Sequence, residues 1–196
     1  MSRFLVWLLA VSLLGLSAAG RASAQAPAGD DFQTISSRQA YQFQVPAGWR
    51  QLPTSSTAQG LDLAVVSPDG SETAFMAITR APQTTVENRS QLTQLFLGGA
   101  NQGLEGIGAS AANVFQGPDA VSIPNADIGM GLTEVFADAH GNPFVLGIRL
   151  ATQGTTVYLF GVGASEEVYD SNTNFGRILD SFELSLPATP DAAGNP

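Results

Sequence analysis

The sequence of 196 residues has no cysteine, no lysine and a single histidine, His140. Without cysteine there are no disulfides, no thiolate nucleophile and no thiolate metal site. Without lysine every positive charge is an arginine, and acid–base chemistry is left mainly to scattered carboxylates. Charge of either sign is sparse, at 13% of residues, and unbalanced: eight basic residues face 17 acidic ones, for a net charge of −9. Loss of Arg3 and Arg21 with a leader makes the remainder more acidic still. Nucleic acid and anionic membrane surfaces repel such a chain and are excluded as partners. What is present is 44% hydrophobic residues on a chain long enough for one full core.

Met1-Ser2-Arg3 is a short positive start, Phe4 to Leu16 is apolar, and small residues lead to Ala22-Ser23-Ala24. These three parts predict a secretory signal peptide over 1–24, cleaved after Ala24. The apolar run is short against the roughly 20 residues of a spanning helix, so no stable membrane insertion is expected after cleavage. The resulting location is periplasmic or secreted. Residues 25–35 and 187–196 are rich in Ala, Gly, Pro and Asp and read as a flexible leader and a disordered tail. One domain over 36–186 remains.

Within it, Tyr41, Phe43 and Val45 alternate with Gln42 and Gln44, which predicts a half-buried first strand over 38–45. Trp49 follows as a core anchor. Strands over 61–66 and 73–79 flank Pro68-Asp69-Gly70 and form a hairpin. Thr84 and Glu87 have capping-box spacing at the head of a helix over 85–104, with Val86, Leu92, Leu95, Phe96 and Leu104 as its apolar stripe. Residues 106–113 read as a flexible connection and 113–116 as a short strand. Strands over 128–137, 143–151 and 157–162 follow as an antiparallel meander. The last of these is apolar on both faces, as a strand covered on both sides must be. Phe175, Ile178, Leu179 and Phe182 share one face of a closing helix over 168–181. The fold class is therefore α+β, an antiparallel β-sheet flanked by helices.

The segment Tyr41-Gln42-Phe43-Gln44-Val45-Pro46-Ala47-Gly48-Trp49 resembles the opening of the Mog1/PsbP-like superfamily, which includes bacterial DcrB-like proteins. The turn Pro68-Asp69-Gly70, the strand Val157 to Gly163 and the closing Ile178-Leu179-Asp180-Ser181-Phe182 extend the resemblance over about residues 38–184. It implies a sheet sandwiched between helices. Its members include an extrinsic subunit of photosystem II, a binder of the GTPase Ran, phage-adsorption-related proteins and toxin chaperones. No catalytic residue is common to them, so none is carried over. The absence of lysine departs from the photosynthetic branch, and the signal peptide from the cytoplasmic chaperones.

No stretch carries a recognisable chemical site. His140 with Asp138 has the donor types of a base or metal ligand, but it sits beside Gly141 and Asn142 as a turn residue does, without a second histidine. Glu166 and Glu167 read as the acidic first turn of a helix. Gly103, Gly106 and Gly108 lack phosphate-loop spacing, and Gly161 to Ser165 is no nucleophile elbow. Asn88-Arg89-Ser90 matches a glycosylation sequon inside a predicted helix. The expectation is an exported, non-catalytic binding or accessory module of the bacterial cell envelope, without cofactor or metal, whose partner is another envelope protein. The alternatives are a carboxylate-based hydrolase, which two Asp or Glu residues suffice to run, and a binder of a small apolar ligand.

Overall fold

The structure, a computed structural model, describes residues 31–37, 41–53, 61–80, 86, 88–94, 96, 110–137 and 142–186. The expected signal peptide and tail, residues 25–30 of the leader, Thr84, Glu87, Gly103, Gly106, Gly108, Asp138 and His140 lie outside the described residues.

In chain order the strands are β1 (Phe32–Ser37), β2 (Tyr41–Pro46), β3 (Arg50–Gln51), β4 (Leu61–Val66), β5 (Glu72–Arg80), β6 (Ser110–Ala120), β7 (Ile128–Ala137), β8 (Pro143–Gln153), β9 (Thr156–Ser165) and β10 (Glu183–Leu184). Residues 89–94 and 96 are helical and are called α1. Helices α2 (Glu166–Ser171) and α3 (Asn174–Asp180) follow β9.

Seven strands form one sheet in the order β3-β4-β5-β9-β8-β7-β6, and β1-β2-β10 form a second, three-stranded sheet. Every pairing is antiparallel. The hairpin β4–β5 and the meander β7–β8–β9 are as the sequence pattern predicts. So is the central place of β9, which is covered on both faces. Tyr158, Phe160, Val162 and Ala164 point into a core shared with β2, α3 and Phe182. Leu159 points into a second core, where Leu92 and Phe96 of α1 meet Phe75, Leu132, Leu146 and Ile148. The layers are thus α1, the large sheet, and a third layer in which the small sheet lies beside α2 and α3.

Four expectations are corrected. A single sheet gives way to two, because β2 pairs with β1 and β10 instead of joining the large sheet. Residues 32–35, expected in the leader, belong to β1: Phe32 and Ile35 pack on the core, and the Gln33 side chain donates to Trp49 O at 2.7 Å. The strand expected at 113–116 runs from Ser110 to Ala120 and takes in part of the supposed flexible connection, since β7 supplies partners at both ends and in the middle of it, with two register shifts between. The closing helix is two helices. Asn172 is extended at ψ 109, and its Oδ1 accepts from Asn174 N at 2.8 Å, a local hydrogen bond that competes with helix continuation.

Candidate functional site

The loop between β6 and β7, Val121 to Asp127, is held by an unusually complete set of hydrogen bonds. Asp127 N donates to Thr152 O at 2.8 Å and Ala126 N to Ile123 O at 3.1 Å. Leu184 N donates to Pro124 O at 3.1 Å, while Asn125 Nδ2 returns a bond to Leu184 O at 2.6 Å. Gln153 Nε2 reaches both Asn125 O at 3.1 Å and Ser185 O at 3.0 Å. On the far side Gly154 N donates to Asp127 Oδ2 at 2.7 Å. Asn125 occupies the left-handed region at φ 62, which a short polar side chain tolerates. Ile123 is buried beneath the loop. Gly129 lets the loop lie close on β7, because a Cβ there would stand 2.2 Å from Val121 O. A loop tied this way to β8, to the turn after it and to β10 is a preformed wall.

Facing that wall is the start of α1. Asn88 Oδ1 accepts from Gln91 N at 3.0 Å, so Asn88 caps the helix and Arg89 opens it. Between wall and helix runs an open groove of about 510 Å³, lined by Asn88, Arg89, Val121, Ser122, Asp127 and Ile128 among others. It presents one cation, one carboxylate, hydroxyl and amide groups and an apolar floor. That set recognises by hydrogen bond and charge; it contains no acid–base pair.

A smaller groove of about 240 Å³ lies where the small sheet meets the end of α3, lined by Thr34, Gln42, Gln44, Asp180, Ser181 and Glu183 among others. Two carboxylates meet here, and both are occupied. Arg149 Nη2 donates to Asp180 Oδ1 at 2.7 Å, and the Gln42 amide donates to Glu183. Asp180 is 70% exposed. A hydrolytic pair needs one carboxyl kept protonated by an apolar setting. Among the described residues burial raises two carboxyls: Glu72, which accepts from the Asn172 amide, and Glu134, which lies on the opposite face of the large sheet, directly across from Leu146. Burial pushes Glu134 up to about 7. The Tyr41 hydroxyl, which donates to Asp62 Oδ2 at 2.5 Å, is pushed well above the usual phenol range, first by burial and then by that carboxylate.

Of the residues singled out from sequence, Glu166 and Glu167 do form the first turn of a helix, α2. Trp49 is a core residue, 6% exposed. Gly161 to Ser165 lie within β9. Asn88 is the cap of α1, and Arg89 borders the large groove. Among the described residues no three His, Asp or Glu side chains gather as a metal site. Glu134 went unnoticed, although its signal was present: it shares the period of Met130 and Leu132, a carboxylate in an inward-facing register. The loop wall had no comparable signal, because its order depends on partners more than 20 residues away in sequence.

Neither a protein-family model nor a curated protein matches the sequence. Solved structures do. The solution structure of PsbP (CyanoP) from Synechocystis sp. PCC 6803 superposes with a TM-score of 0.54 at 17% identity, covering 83% of this chain and 98% of that one. The Ran-binding protein Mog1p of Saccharomyces cerevisiae gives 0.50 at 11%, covering 80% and 96%. LpqN of Mycobacterium tuberculosis, described as involved in cell envelope biogenesis, gives 0.50 at 17%, covering 81% and 87%. With its antiparallel sheet, flanking helices and these three likenesses, the chain has the Mog1/PsbP-like fold.

Proposed function

We propose that the chain is an exported, non-catalytic accessory module of the bacterial cell envelope, which holds a protein partner in the groove between the 121–127 loop and the start of α1. The preformed wall of that groove carries the reading. Rigid walls lower the ordering cost of binding, and an open, mixed polar and apolar trough suits a segment of another protein. Two further points support it. Of the structural neighbours, Mog1p is named for binding Ran and LpqN for a part in envelope biogenesis. The other is the leader, whose positive start, apolar run and Ala22-Ser23-Ala24 site read as a signal for export.

The test is site-specific photocrosslinking in intact cells. A benzophenone amino acid at exposed Ser122 is compared with one at exposed Glu167 on α2. A discrete adduct from Ser122, absent from Glu167 and weakened by Arg89→Glu, is the expected result. Equal labelling from both positions, or none from Ser122, sinks the assignment of this groove.

A further inference from the structure

Glu134 is 2% exposed, and neither of its carboxylate oxygens has a hydrogen-bond partner. It sits midway along β7, laddered on one side to β6 through Phe115 and on the other to β8 through Leu146. Residues directly opposite in an antiparallel pair share a face. Glu134 therefore points to the face of the large sheet on which α1 lies, in line with Met130 and Leu132 and across from Leu146. The groups around it among the described residues are apolar. On β8 this face carries Phe144, Leu146, Ile148 and Leu150, and on β9 Leu159. The residues of α1 turned toward the sheet are Leu92, Phe96 and Thr93, whose hydroxyl meets Met130 Sδ at 3.2 Å. The one charged residue of α1, Arg89, lines the large groove. Arg149 on β8 serves the other face, with Asp180.

We propose that Glu134 makes the seating of α1 on the large sheet pH-responsive: the neutral carboxyl permits a closed helix layer, and its ionisation loosens that layer. An unpaired carboxylate in such a setting must regain water. It can do so by parting β7 from its neighbours or by loosening the helix layer on that face of the sheet. The first route breaks ladder hydrogen bonds on both sides of β7. The second separates side-chain contacts made by Leu92, Thr93 and Phe96. Lifting α1 also moves Asn88 and Arg89, so the device reaches one wall of the groove proposed above while standing independently of what binds there.

The sign follows from linkage. Closed, the carboxyl keeps its proton to about pH 7; opened, it releases it near the ordinary 4.5. Opening is thus favoured progressively from about pH 4.5 to about 7 and is level above that.

The chain has no native cysteine, so a single one reports cleanly. Leu92→Cys, on the buried face of α1, is labelled with a thiol reagent relative to exposed Gln94→Cys on the same helix, which cancels the reagent's own pH dependence. Between about pH 6 and about pH 8 the ratio should rise roughly tenfold. Glu134→Gln in the same background should abolish the rise. If that variant does not fold, Glu134→Leu takes its place with the same expectation. Fluorescence of Trp49, which belongs to the opposite core, should stay native across the range. A flat ratio in the parent, a rise retained without the carboxyl, or Trp49 unfolding in step with labelling overturns the proposal.

Discussion

Phe182 is 1% exposed, with its ring centroid 5.2 Å from that of Phe160 on the central strand. Phe160 in turn lies 4.6 Å from Phe43 of the small sheet, and Phe43 6.2 Å from Tyr41. This aromatic chain bolts the C-terminal end, the large sheet and the small sheet together. Phe182→Ala should therefore cost about 3–5 kcal/mol in urea melts, and a loss under about 1 kcal/mol would mean that the cavity collapses freely. Gly129→Ala is a different test, because its added methyl meets a backbone carbonyl at 2.2 Å. It should cost about 1–3 kcal/mol and loosen the loop wall, seen as faster amide exchange at Ala126 and Asp127. The aromatic anchors were legible from sequence: alternation places Tyr41 and Phe43 inside, and Trp49 follows the turn at the end of their strand. Gly129 was not, because only the folded loop reveals what a side chain there would strike.

At the scale of the element, β1 shows how little hydrophobicity a strand needs once a partner is waiting. It pairs along its whole length with β2, and Phe32 lies under the Arg177 guanidinium, 3.7 Å from charge to ring centroid. A chain beginning at residue 38 should lose about 2–4 kcal/mol relative to one beginning at residue 25, from the ladder and the part-buried Phe32 and Ile35. Equal urea midpoints for the two chains would show β1 to be ornamental. Composition placed residues 32–35 in the leader because Gln33 and Thr34 interrupt any apolar run. The pairing with β2, and the amide of Gln33 reaching Trp49 O, are contacts across sequence. The split of the closing helix was hidden for a related reason. Its apolar spacing is helical throughout, and the break shows only in the bonds of the Asn172 side chain, to Asn174 N and across sequence to Glu72. Strand alternation and the central place of β9, by contrast, were legible, because burial on two faces writes itself into consecutive residues.

For the whole molecule, two cores on opposite faces of one sheet explain how the chain does without disulfides. The export reading predicts that the mature protein begins at Gln25. Intact mass of the extracytoplasmic form decides it, and retention of Met1 to Ala24 on membrane-extracted protein would refute cleavage. The layered architecture could be read from the order of strands and helices, but not the second sheet. β1 and β2 are neighbours in sequence, but β10 follows the last helix and pairs with β2 from the other end of the folded unit, a contact that nothing local announces.

The order of strands in the large sheet also sets a timetable. β5 finds its inner neighbour only in β9, so that Glu72 waits for Ala164 and Arg80 for Thr156. The strand at the centre is the last of the seven to be synthesised. Until it arrives, the hairpin β4–β5 has an open edge and neither core can close. Pairings between residues so far apart in sequence make for slow folding. A polypeptide whose keystone is laid last can form its hairpins while it is being made, but closes its cores only once almost the whole chain exists.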